Sequence, residues 1–216
     1  MQQLVLNIQP LMPARLGDIV GGRNAEVLAT LRSICEGRDA EPVYLWGPAG
    51  CGKSLMINVL SECLEGAPAI DGKQPDWPDG PCALLIDNAD KLSAEDQLVA
   101  FDRYNRNKAE KQVWVATGSQ APSGLTHLRD DLRTRLSWGL IYQIHPLNDK
   151  DKRQALLRRA EQLGFQLDPV IADYLLTRYS RDLRQLLAVV EALDRYSLEQ
   201  QRRISLPLLK ALLPNR

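Results

Sequence analysis

Apolar positions along this chain fall into two regimes that change near Pro146. Before it, short continuous apolar runs alternate with stretches in which apolar residues recur every three or four positions. That alternation predicts buried parallel strands interleaved with helices that pack on them. Val43 to Trp46, Ala83 to Asp87, Gln112 to Thr117 and Leu140 to Ile144 read as strands. Val27, Leu28, Leu31 and Ile34 make one helical face, with Asn24 as its N-cap. Leu55, Met56, Val59, Leu60, Cys63 and Leu64 make a second, and Ser93 to Asn107 predicts a third helix with Leu98, Val99, Phe101 and Tyr104 inward. Leu128 to Leu136 predicts a short fourth. Between Leu64 and Cys82, four prolines and three glycines leave room for a very short strand and no helix. After Pro146 strands cease. Helical patterns run from about Asp149 to Leu163, Pro169 to Tyr179, Asp182 to Tyr196 and Leu206 to Leu213, as in a small helical lid.

The 216 residues suffice for one α/β domain and such a lid. Lysine and arginine total 27, as do aspartate and glutamate, so no global positive field draws the chain to nucleic acid. The four cysteines, Cys35, Cys51, Cys63 and Cys82, show no CxxC pairing and have only His127 and His145 as metal partners. They predict reduced, mostly buried thiols and no zinc site. No secretory leader and no membrane-spanning apolar run is visible, which predicts a cytoplasmic protein with no membrane partner.

Chemistry concentrates at Gly47-Pro48-Ala49-Gly50-Cys51-Gly52-Lys53-Ser54, which fits the phosphate-loop pattern GxxxxGK(S/T) and stands between a strand and a helix. Gly50 and Gly52 permit backbone angles that turn successive N–H groups inward, and the helix start adds its positive dipole end. Lys53 reaches the β- and γ-phosphates, and the Ser54 hydroxyl holds Mg²⁺. Asp87, closing an apolar strand, is the second candidate for Mg²⁺, directly or through water. Asn88 follows it, and an amide is a poor base near neutral pH, so slow intrinsic hydrolysis is expected. Thr117-Gly118-Ser119 is either a polar tip that meets a γ-phosphate or a strand-ending turn. Val20 and Gly21, in a glycine-containing run before the first helix, are candidates for the adenine site. Leu4, Leu6 and Ile8 alternate, which suits an edge strand; Gln3-Leu4-Val5-Leu6 equally suits a detachable docking peptide.

Taken together, Leu45-Trp46-Gly47, Ile86-Asp87-Asn88, Phe101 to Arg106, Arg135 to Tyr142, Pro146 to Lys152 and Leu183 to Arg195 resemble the AAA+ family. Within it they resemble the DnaA-like branch, and the Hda regulators in particular. The resemblance covers almost the whole chain. It implies an AAA+ P-loop core with a parallel sheet flanked by helices, plus a small C-terminal helical lid. The expected boundaries are a clamp-binding arm at 1–13, the core at 14–147 and the lid at 148–216. It further implies that ADP or ATP binds with Mg²⁺, that Arg184 is sensor 2, and that Thr117 to Ser119 occupy the sensor 1 region. Arg135 matches the arginine finger, and Gln3, Leu4 and Leu6 match the peptide that docks on the sliding clamp.

The expected function is therefore stimulation, on DNA-loaded clamp, of hydrolysis of ATP held by DnaA. Self-association stays open as a further contact. An autonomous ATPase of the helicase-loader type and a truncated DNA-binding paralogue of DnaA are the alternatives. Direct sequence-specific DNA binding is not expected, because the chain ends just after the lid and the interval from Glu65 to Pro81 is short.

Overall fold

The computed structural model describes residues 16–38, 41–65 and 67–213, which form two compact units. The first, Arg23–Pro146, is built on five strands: β1 (Val43–Trp46), β2 (Ala69–Asp71), β3 (Leu84–Asp87), β4 (Trp114–Gly118) and β5 (Leu140–Gln143). All pairings are parallel and the order is β2-β3-β4-β1-β5. Strand ends therefore collect at one edge of the sheet, where α/β folds place their ligand sites. The three central strands are buried nearly throughout, which is why they read as unbroken apolar runs. At the edge strands Ala69, Asp71, Leu140 and Ile141 are exposed.

Helices α1 (Ala25–Cys35), α2 (Lys53–Cys63), α3 (Ala94–Ala109) and α4 (Asp130–Leu136) complete this unit. Val27, Leu28, Leu31 and Ile34 are all buried on α1, as the periodicity requires. Asn24 differs from expectation. It precedes α1 but makes no side-chain cap; its buried amide donates to the His145 carbonyl (2.8 Å) and accepts from the His145 N–H (2.8 Å). A tertiary clamp has taken the group that sequence assigns to a local one.

The inward face of α3 is also rotated from the expected one. Leu98 and Val99 are exposed, whereas Gln97, Ala100, Tyr104 and Asn107 are buried. Two of these are polar, and each satisfies backbone. Gln97 donates to the Leu92 carbonyl and accepts from the Arg129 N–H, and Asn107 donates to the carbonyls of Cys82 and Val113. On α2, Leu55 is exposed and Ile57 takes the core position instead. The expectation of four free thiols is corrected as well: Cys35 and Cys63 form a disulfide, and Cys51 and Cys82 are free. The ends of α1 and α2 converge to 5.7 Å between α-carbons, a proximity invisible in a sequence separation of 28.

The proline-rich segment carries only β2 and is fastened to α3 by side chains. Arg103 donates to the carbonyls of Pro78 and Gly80, and Trp77 Nε1 donates to Asp96 Oδ1 at 2.9 Å. Bonds from Ser93 and then Trp77 hold the Asp96 carboxyl below its ordinary range.

The second unit holds residues 16–22 and 147–213. Its helices are α5 (Asp149–Gln162), α6 (Pro169–Arg178), α7 (Leu183–Gln200) and α8 (Leu206–Leu212), close to the four predicted. Side chains of Asn148, Asp168, Asp182 and Ser205 cap the four N-termini. Leu156, Ile171, Leu186, Val190, Leu193 and Leu209 form its core. Arg159 and Glu191 join α5 to α7 through a buried ion pair. Among the described residues, no helix is long and apolar enough to cross a membrane.

Gly139 gives a test of this packing. Its φ is +89°, and a Cβ there would lie 2.2 Å from the Pro42 carbonyl oxygen, a backbone atom that also accepts from the Leu140 N–H. Gly139→Ala adds left-handed strain of about 1–2 kcal/mol to that collision. Thermal unfolding is expected to shift down by several degrees, since about 1 kcal/mol moves the midpoint of a chain of this size by roughly 2–4 °C.

Candidate functional site

The phosphate loop runs from the end of β1 to the start of α2, as its strand and helix neighbours require. Gly47 sits where the chain after β5 closes on β1; a Cβ would lie 2.5 Å from the Ile144 carbonyl oxygen. Gly50 and Gly52 have φ of +76° and +109°, so both use the freedom that only glycine has without strain. Gly52 is the N-cap of α2, and no side chain caps that helix. Its first-turn amides are thus the donors an anion would meet. Lys53 is the first residue of α2, and its ammonium donates to the carbonyls of Gly47 (2.8 Å) and Pro48 (3.1 Å), with Cys51 Sγ at 3.8 Å. The buried Cys51 packs beneath the loop at Gly47.

Asp87, at the end of β3, is held on both oxygens. Ser54 Oγ donates to Oδ2 at 2.6 Å and Thr117 Oγ1 to Oδ1 at 2.5 Å. The fully buried Thr117 hydroxyl also accepts from the Asn88 N–H at 3.0 Å. Ser119 donates to Asp90 Oδ2 at 2.8 Å. Both hydroxyls of the Thr117 to Ser119 tip therefore serve carboxylates within this unit. Nearby, burial and then the Asp90 charge push the Tyr44 phenol far above its usual range; its hydroxyl donates to the Gln120 carbonyl.

Ser54 and Asp87 offer two hard oxygen donors side by side, which fits Mg²⁺. Among the described residues, no group of three or more His, Cys, Asp or Glu could hold a metal alone. Mg²⁺ takes one or two protein oxygens and completes its shell with water and phosphate.

Sequence reasoning did not single out Asp71. It ends β2 in register with Asp87, and its Oδ1 accepts from Asn88 Nδ2 and from the Lys73 N–H, both at 3.1 Å. The signal was present only as an aspartate closing a very short strand.

Arg135 lies in the last turn of α4. Its guanidinium stacks 4.1 Å from the centroid of Trp138 and 5.3 Å from that of Phe101, while Lys108 covers Trp138 at 4.7 Å. Arg135 Nε is buried and has no hydrogen-bond partner among the described residues. The other arginines here differ. Arg129 pairs with Asp131 at 2.7 Å and Arg133 with Asp130 at 2.6 Å.

The remaining candidates lie in the other unit or outside the described residues. Arg184 is the second residue of α7; its N–H donates to Asp182 Oδ1, and its exposed guanidinium lies 3.4 Å from Asp182 Oδ2. Val20 is buried and Gly21 half-buried in the same unit. Gln3, Leu4 and Leu6 lie outside the described residues.

Residues 149–213 match the family model described as the lid domain of Hda. Across both units, the chain is similar to domain III of the Thermotoga maritima replication initiation protein DnaA, at 16% identity and a TM-score of 0.71, covering 95% of this chain and 98% of that one. It is similar to AMPPCP-bound DnaA from Aquifex aeolicus at 18% identity and 0.68, covering 89% and 68%. A RuvB variant from Thermotoga maritima matches at 18% identity and 0.66, covering 93% and 71%. The fold is the expected one, a parallel α/β core with a helical lid, as in these solved structures, and the lid residues match the Hda lid model.

Proposed function

We propose that this protein is a regulator of replication initiation that stimulates hydrolysis of ATP held by DnaA, supplying Arg135 as an arginine finger in trans. The Hda lid and the DnaA-like fold support the coarser part, a DnaA-related replication regulator. One observation carries the finer part. Of the arginines around α4, Arg135 is the one whose guanidinium rests on aromatic rings, while Arg129 and Arg133 are neutralised by adjacent carboxylates. A guanidinium brought to a γ-phosphate stabilises the charge that develops there, and fingers supplied in trans accelerate hydrolysis by on the order of 10³ to 10⁵.

In this reading the protein's own loop, Gly47 to Ser54, binds ADP or slowly hydrolysed ATP. That a DnaA of this fold binds AMPPCP supports the assignment. Lys53 engages the β- and γ-phosphates, Ser54 and Asp87 hold Mg²⁺, Val20 and Gly21 meet the adenine, and Arg184 acts as sensor 2. Bound Mg²⁺ neutralises phosphate charge. Gln3, Leu4 and Leu6 dock on the DNA-loaded sliding clamp in the cytoplasm, which concentrates the finger where DnaA works.

The test is single-turnover hydrolysis of ATP prebound to DnaA, with DNA-loaded clamp and either wild type or Arg135→Ala. Wild type is expected to accelerate hydrolysis and the variant to lose at least a hundredfold of that effect, with its own nucleotide affinity unchanged by fluorescence titration. Equal acceleration by both would remove Arg135 from the role. If neither accelerates while the chain alone turns over ATP, the autonomous ATPase reading replaces this one. A second measurement addresses the arm: Gln3→Ala combined with Leu4→Ala and Leu6→Ala is expected to abolish co-elution with clamp while leaving nucleotide binding intact.

A further inference from the structure

We infer that Trp138 is a positioning residue for the arginine finger: its ring holds the Arg135 guanidinium in the direction from which it meets the γ-phosphate of a partner's nucleotide. The inference rests on the proposal that Arg135 is a finger, and it names the side chain through which the fold aims it.

Arg135 Nε is buried without a hydrogen-bond partner among the described residues, so that nitrogen does not fix the side chain. What the guanidinium meets is aromatic. Its carbon lies over the Trp138 ring, 4.1 Å from the centroid, and over the Phe101 ring at 5.3 Å. The electron-rich face of an aromatic ring attracts a cation, and an indole does so more strongly than a phenyl ring. Of the two, Trp138 is both the nearer and the stronger.

The backbone brings this ring back to its own helix. Ser137 closes α4, and the Trp138 N–H donates to the Arg135 carbonyl at 3.0 Å, so main chain and side chain join the same two residues. On its other side Trp138 is followed by Gly139, packed against the Pro42 carbonyl, which accepts from the Leu140 N–H at 2.9 Å. The ring is thus fixed from both directions along the chain. Trp138 is nevertheless 44% exposed. An indole at that position adds little to the core, whereas it gathers cations: Lys108 Nζ, from the last turn of α3, lies over the same ring at 4.7 Å.

Positioning and direct contact with the partner have different kinetic signatures. A guanidinium misplaced by about 1 Å at a reacting phosphate can cost on the order of 10²-fold in rate. Loss of the ring that aims it therefore lowers the maximal rate of hydrolysis in the assembled complex. An exposed tryptophan that instead carried binding energy across the interface would, when lost, raise the concentration needed for assembly and leave the maximal rate alone.

The experiment uses the full chain in excess over DnaA carrying radiolabelled ATP, on DNA-loaded clamp, and follows single-turnover hydrolysis across a concentration series. It compares wild type, Arg135→Ala, Trp138→Phe, Trp138→Leu and Lys108→Met, with thermal unfolding as the control for folding. Trp138→Leu is expected to lower the maximal rate at least tenfold, with the half-saturating concentration within threefold of wild type and the same unfolding temperature. Trp138→Phe keeps a ring face and is expected to stay within threefold of wild type in both quantities, as is Lys108→Met. A wild-type maximal rate in Trp138→Leu would overturn the inference. So would a raised half-saturating concentration at unchanged maximal rate, earlier unfolding, or the same slowing in Trp138→Phe or in Lys108→Met. In each of those cases the finger reading stands as long as Arg135→Ala has lost the acceleration. Equal rates for wild type and Arg135→Ala, or no acceleration by wild type, would remove the finger reading and this inference with it.

Discussion

Two hydroxyl groups on one carboxylate organise this protein's core unit. Ser54 from the first turn of α2 and Thr117 from the end of β4 each donate to Asp87 at the end of β3. Three elements that are distant in sequence are thereby held within one residue's reach, at the edge where parallel strands must all end. Hydrogen bonds to an ionised acceptor are shorter and stronger than those between neutral groups. The sheet supplies this geometry. With the order β2-β3-β4-β1-β5, the Asp87 strand lies beside both Thr117 on β4 and Asp71 on β2, while β1 feeds the loop that carries Ser54.

Much of this was legible in the sequence, for reasons that particular residues make plain. Val43 to Leu45 and Leu84 to Ile86 are buried on both faces of a parallel sheet, and unbroken apolar runs are what that burial demands. The phosphate loop was legible because its glycines answer to local backbone geometry, with φ of +76° and +109° at Gly50 and Gly52. The lid helices were legible because their apolar residues recur at helical spacing to form one buried core. What periodicity misread is the side of α3 that faces the core. Gln97 and Asn107 lie inward because loose backbone needs their amides, and a hydrophobic pattern counts them as outward. Asn24 failed in the same way: its amide satisfies His145 across 121 residues instead of capping the helix that follows. The Cys35–Cys63 disulfide and the Asp71–Asn88 contact are likewise tertiary facts with no local signature.

The environment of Arg135 bears on what a finger requires. An arginine already paired with a carboxylate, as Arg129 and Arg133 are, must give up that pair before it can serve a phosphate. A ring imposes less. The guanidinium carbon of Arg135 lies over the Trp138 and Phe101 rings, which attract the cation without a carboxylate having to be released first. The two rings come from different parts of the unit, Phe101 from α3 and Trp138 from the turn before β5, so the direction of Arg135 depends on how α3 and α4 pack. Tyr104, buried one turn along α3 from Phe101, feels the positive charge of Arg135, which opposes the upward push that burial gives its phenol. The same packing that sets the core therefore sets the one arginine of this cluster that no carboxylate claims among the described residues.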